Sequence, residues 1–285
     1  MNTVRKMTDN TSKLNVKKLT LIVIVIWIIL GIIFGLYDLA ISIAVVDEAS
    51  IWGNFGADYG ETPGYGLIAI ALSMWIGGYI KNLKMQKIPS CVIIVIGLLF
   101  IIFGDDVRDF SVGLSMIIPV ILLIIFFWNK DLSKYRSISA VISLLAILNP
   151  LLFVQITKIL CGRIRFSDLT LPGYTDFTPW FLPPGLIISP KGRSFPSGHT
   201  SMSFMFIPLL IPLSKMLIEK SGKKLLTILL IILVIGWALY VGVSRVIIGA
   251  HYASDVLFSG GAASIITILL YEWIYVKKAN HDNTK

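Results

Sequence analysis

The chain of 285 residues is 56% hydrophobic and only 14% charged, with a mean hydropathy of +0.83 and a formal net charge of +9. Too few charged residues are present to cover a core of that size in water, which excludes a soluble globular protein. The positive balance does not point to nucleic acid, because the cations lie in short clusters between apolar runs and not on one basic face or tail.

Taken in chain order, the apolar runs predict eight membrane-spanning helices, over about 21–46, 65–80, 88–104, 111–129, 137–157, 197–217, 225–243 and 252–276. Runs near 20 residues match the roughly 30 Å of bilayer hydrocarbon, and helices satisfy their own backbone hydrogen bonds there. The expected fold is an all-α polytopic bundle of about eight spans, and at least six. The first run follows Lys13, Lys17 and Lys18 and is too long for a signal-peptide core, so it reads as a retained helix. Asp38 falls near the outer end of that run, where interfacial solvation is the expectation. Asn149-Pro150, Pro208 and Pro212 predict kinks, and Gly260 to Ala263 predict close helix packing. Cys91 and Cys161 fall near opposite faces, too far apart for a disulfide, and neither belongs to a metal-spacing pattern.

Charge sets the orientation. With the N-terminus in the cytoplasm, the inner segments carry Arg5, Lys6, Lys13, Lys17, Lys18, Lys81, Lys84, Lys87, Lys130, Lys134, Arg136, Lys215, Lys220, Lys223, Lys224, Lys277, Lys278 and Lys285, which is eighteen of the 25 basic residues. An even number of spans returns the C-terminus to the cytoplasm. The outer loops hold Asp47, Glu48, Asp58, Glu61, Asp105, Asp106 and Asp109, with Arg108 among the last three. The remaining outer cations fall in three strings at helix ends: "KILCGRIR" (Lys158 to Arg165), "KGRSFPSGH" (Lys191 to His199) and "SRVIIGAHYASD" (Ser244 to Asp255).

Brought together, these strings make a phosphate site. Lys158, Arg165 and Arg245 supply three cations, and guanidinium forks suit phosphate oxygens. "PSGH" opens a helix, so free N–H groups at Ser197, Gly198 and His199 meet an anion with the positive end of the helix dipole, and the Ser197 hydroxyl adds a donor. His251 and Asp255 are four residues apart and share a helical face, where a carboxylate fixes the imidazole tautomer. His251 is then the candidate nucleophile and His199 the candidate general acid. No carboxylate cluster is placed to hold catalytic metal, so neither metal nor other cofactor is expected. Taken singly, Lys158, Arg163 and Arg165 also read as snorkelling interfacial residues.

Lys158 with Arg165 seven positions on, "PSGH", and Ser244-Arg245 followed by His251 and Asp255 resemble the signature of the type-2 phosphatidic acid phosphatase superfamily. The resemblance covers about residues 137–276 and implies a membrane lipid phosphatase. His251 would be the nucleophile, Asp255 its partner and His199 the acid, with Lys158, Arg165, Ser197, Gly198 and Arg245 binding phosphate. One position departs from the pattern: Phe166 stands where the family usually has proline. Eight spans also exceed the family's six-helix core, and the resemblance leaves the extra pair unexplained.

The expected organisation is N-terminal transmembrane segments over 1–136, a catalytic core over 137–276 and a cytoplasmic tail over 277–285. The expected reaction is hydrolysis of a polyprenyl diphosphate, phosphatidylglycerol phosphate or phosphatidic acid at the outer face of the cell membrane. The expected partners are therefore the lipid substrate and the bilayer, with no nucleic acid. A phospho-head-group transferase and an anionic-lipid transporter are the alternatives. In the loop Gly173 to Gly185, Trp180, Phe181 and Leu182 read either as dipping into the outer interface to guide a lipid head group or as an ordinary aromatic belt.

Overall fold

The protein is described by a computed structural model. It covers the backbone of residues 2–187, 191–218 and 223–277, with side chains from Val16 onward except those of Lys215, Ile218, Val276 and Lys277. Lys220 and the tail beyond Lys277 lie outside the described residues, as do the side chains of Arg5, Lys6 and Lys13.

Among the described residues the chain is helical, without strands. The helices are α1 (Asn2–Val45), α2 (Ile51–Tyr59), α3 (Thr62–Gly77), α4 (Ile88–Phe103), α5 (Val107–Phe127), α6 (Arg136–Ala146), α7 (Val154–Cys161), α8 (Gly198–Ser203), α9 (Leu210–Ile218), α10 (Lys224–Ile247) and α11 (Ala253–Tyr271). All eight expected segments are helical, and among the described residues six helical stretches are long and apolar enough to cross a membrane. The expected segments 65–80 and 197–217 do not meet that length as single helices: α3 has 16 residues, and the second is divided into α8, a 3-10 stretch and α9.

The breaks follow from proline. Pro150 has no N–H to give the helix, and the backbone widens into a π-helix over Ile147–Phe153 between α6 and α7. Pro208 lies in the 3-10 stretch Phe204–Leu209 between α8 and α9. Small residues set the spacing elsewhere. A Cβ on Gly260 would strike the Phe204 ring and one on Gly261 the Trp27 indole, so α11 lies close to both neighbours. The short helix α2 was not expected. Ser50 caps it by accepting from the Gly53 N–H at 3.3 Å, and Gly53 and Gly56 let it lie against the end of α10.

Two ends of the bundle are defined by contacts between its loops. At one end Asp47 N–H donates to the Ile247 carbonyl at 2.7 Å, Ser167 N–H to the Gly249 carbonyl at 3.1 Å, and Arg108 Nε to Glu61 at 2.6 Å. At the other, Gln86 Nε2 donates to Asp131 at 2.9 Å and Lys87 Nζ to the Lys130 carbonyl at 3.0 Å. Both cysteines are free.

Candidate active site

The first string ends α7. Lys158 is in its last turn, and Gly162 stops the helix in the left-handed conformation (φ 53°), donating its N–H to the Lys158 carbonyl at 3.3 Å. The chain then runs extended through Arg165 into a 3-10 turn at Phe166–Asp168. Phe166 stacks on Tyr174 with ring centroids 5.5 Å apart and meets Tyr252 edge-on at 6.5 Å. Aromatic packing thus restrains the loop at the position where proline was the expected residue.

The second string starts α8. Ser197 is its N-cap, with Oγ accepting from Thr200 N at 3.3 Å and Thr200 Oγ1 at 2.9 Å. The two following residues carry first-turn N–H groups, which have no acceptor inside the helix. A Cβ on Gly198 would lie 3.7 Å from Lys158 Nζ, so the ammonium group comes close over this glycine.

The third string is a tight connection between α10 and α11. Arg245 is in the last turn of α10, Gly249 takes φ +69°, and the His251 N–H returns to the Arg245 carbonyl at 3.1 Å. Asp255 then caps α11, accepting from the Tyr252 N–H at 2.9 Å. The spacing between Arg245, His251 and Asp255 is therefore the spacing of one turn and one cap.

Lys158, Arg165, Gly198, His199, Arg245 and His251 line one cavity of about 580 Å³. Its far side is apolar, with Ile68, Leu72, Ala146, Ile147 and Leu151 contributed by α3, α6 and the π-helix. The Nε donors of Arg165 and Arg245 are buried without a hydrogen-bond partner among the described residues. Buried orphan donors of that kind fit an anion. Ser197 and Asp255 are completely buried and lie behind the lining, Ser197 holding the turn that carries Gly198 and His199.

His251 does not hydrogen-bond to Asp255 as expected. Its Nδ1 is 2.6 Å from the Ser194 carbonyl and 3.7 Å from Asp255 Oδ2. A carbonyl only accepts, so Nδ1 carries the hydrogen and Nε2 keeps its lone pair. Asp255 acts one step removed, accepting from Ser194 Oγ at 2.5 Å. Burial pushes the imidazole down to about 4, with Asp255 opposing the shift.

Arg163 corrects a second expectation. It does not snorkel; it is buried, with Nη2 on Asp38 at 2.9 Å, Nη1 on Asp255 at 2.7 Å and Nε on the Thr178 carbonyl at 2.8 Å. Its guanidinium lies 3.9 Å over the Tyr252 ring. Asp38 is likewise not solvated at an interface. It is fully buried and also holds Ser254 through the backbone N–H, at 3.0 Å, and the hydroxyl. Trp180 packs inward, donating to the Gly31 carbonyl at 2.9 Å, while Phe181 and Leu182 stay exposed. The sequence reading also missed Glu61 and Arg108, which line the cavity from α3 and α5. The lone arginine among the acids of an outer loop was the available signal.

Fold and cavity together define a multi-pass helical membrane protein with a cationic chamber at one end. Residues 139–279 match the family model described as the PAP2 superfamily, and the chain belongs to that superfamily through this segment. Its members are generally phosphatases, which gives the chain a phosphatase-type activity in broad outline. No solved structure matches the chain.

Proposed function

We propose that the protein hydrolyses a lipid phosphomonoester or diphosphate through a phosphohistidine. The observation that carries this reading is the shape of the cavity: cations and two histidines at one end, aliphatic side chains at the other, which suits an amphiphile with a phosphate head. Lys158, Arg165 and Arg245 hold the phosphoryl oxygens with the Gly198 N–H, and compensate charge on them in the transition state. The Nε2 lone pair of His251 forms a bond to phosphorus while the bond from phosphorus to the leaving oxygen breaks. That oxygen keeps the electron pair and takes the proton of His199. Water then attacks the phosphohistidine, the P–N bond returns its pair to His251, and His199 takes the water's proton.

Topology supports a site on the outer surface of the cell membrane. Lys81, Lys84, Lys87, Lys130, Lys134 and Arg136 lie in or beside the two connections that meet at the end of the bundle opposite the cavity. Basic loops stay in the cytoplasm, and this pattern favours a chamber and lipid phosphate on the outer side.

The test is phosphate release in detergent from polyprenyl diphosphate, phosphatidylglycerol phosphate and phosphatidic acid, with excess EDTA and a His251→Ala control. Release that survives EDTA and disappears in the control is the expected result. No release from any lipid, or an equally active control, overturns the reading.

A further inference from the structure

Two charged side chains enter the chamber from outside the segment that matches the superfamily. Glu61 stands at the start of α3 and Arg108 in the first turn of α5. The Glu61 side chain is buried, and its two oxygens are used differently. Oε1 accepts from Arg108 Nε at 2.6 Å, while Oε2 faces His199 Nε2 at 3.7 Å. At that distance the second contact is charge attraction across a gap and not a hydrogen bond.

The contact matters because of what surrounds His199. Burial, first of all, works against a charged ring there, and Arg245, His251, Arg108 and Lys158 each add to the repulsion of a further proton. A general acid must nevertheless begin its cycle protonated. Asp255 is engaged on the far side of His251 by Arg163, Ser194 and Tyr252. Glu61 is the carboxylate that the described residues bring to His199.

We propose that Glu61 is the positioning residue of the acid, its carboxylate retaining the proton on His199 while Arg108 fixes the carboxylate in place. The inference rests on the reading of His199 as general acid. It gives the N-terminal half a share in the reaction: that half delivers the counter-charge the superfamily segment does not provide. Chemically, the proton passes from His199 to the leaving oxygen as the P–O bond breaks, and Glu61 neither gives nor takes one. Its importance should then scale with how badly the leaving oxygen needs a proton. An alkoxide leaving phosphatidic acid needs one; a nitrophenolate leaving p-nitrophenyl phosphate does not.

The experiment compares wild type, E61Q, E61D and R108Q in detergent on those two substrates. It is paired with NMR titration of 15N-labelled histidine, His199 being assigned from an H199Q spectrum. Tyr65, Arg108, Lys158, Arg245 and His251 remain around the pair in E61Q and form its common background. E61Q should lower kcat on phosphatidic acid by roughly tenfold or more, a fraction of the 10²–10⁴ that general acids contribute, and by less than about threefold on the aryl ester. E61D should recover part of the loss. His199 should lose its proton at lower pH in E61Q than in wild type. R108Q should lower kcat on phosphatidic acid less than E61Q does, since the carboxylate is present but no longer held. Equal losses on both substrates, or a His199 titration unmoved by E61Q, overturns the proposal. If wild type releases phosphate from neither substrate, the phosphatase reading fails separately, and the titration still decides the pairing.

Discussion

The carbonyl of Ser194 gives His251 a fixed tautomer without a charged partner in contact, and this has a kinetic consequence. Held at about 4 by burial, the ring is neutral with Nε2 available well below the usual histidine value near 6.5. Protonation removes the lone pair, so activity is lost only as pH falls through the lowered value. The acid limb of kcat/KM should therefore lie near pH 4 to 5, and a limb at about 6.5 contradicts the assignment. Six of the residues that line the cavity were legible in the sequence because they fall in three short strings with fixed local spacing. Arg245, His251 and Asp255 span one turn and one helix cap, which a string of twelve residues can display. Ser194 was not legible: its contribution is a backbone carbonyl, and any residue has one.

Between elements, the buried cluster of Asp38, Arg163, Ser254 and Asp255 joins α1 to the loop after α7 and to the start of α11. Removing one member leaves a charge buried without its partner, which typically costs about 3–5 kcal/mol. D38N keeps a side chain that can still hydrogen-bond, so a loss of about 3 kcal/mol is expected for it. That would appear as a fall of several degrees in the melting temperature in detergent. D38N combined with R163Q should cost less than the sum of the two single changes, since the second no longer breaks a pair. Simple additivity would show that the two side chains do not cooperate. Hydropathy found α1 as a span but misread Asp38, because its partner is 125 positions away and no local pattern connects them. A comparable separation hid Glu61 from His199. The helix α2 escaped for the opposite reason: its Ser50 cap is local, but nine residues with five small or polar ones make no apolar run.

At the scale of the whole molecule, the chamber joins two kinds of wall made by different parts of the chain. Its charged end is built mainly by loops and helix ends, and its apolar end by α3, α6 and the π-helix, so the head and tail of the proposed lipid substrate would meet different elements. Filling the apolar end should then discriminate by tail. Ile147→Trp should raise KM for long-chain lipid phosphates by about tenfold, the value of roughly 1.4 kcal/mol of lost fit. It should leave hydrolysis of p-nitrophenyl phosphate within about twofold. Equal effects on both substrates would show that the tail does not lie there. The helical segments themselves were readable from hydropathy, although two of the eight, 65–80 and 197–217, are not single helices long enough to span. The chamber was not, because the π-helix that shapes it depends on how Pro150 disturbs a helix already packed among others.

Asp38 also bears on how the protein is made. During synthesis the first helix enters the membrane long before Arg163 exists, and longer still before Ser254 and Asp255 follow. At about 5–20 residues per second, the 125 residues between Asp38 and Arg163 take roughly 6–25 seconds to translate. Through that interval an acid sits in an apolar helix with its eventual partner still unmade. The opening helix is therefore inserted early but completed late, and the last helix to arrive closes the cluster that the first one began.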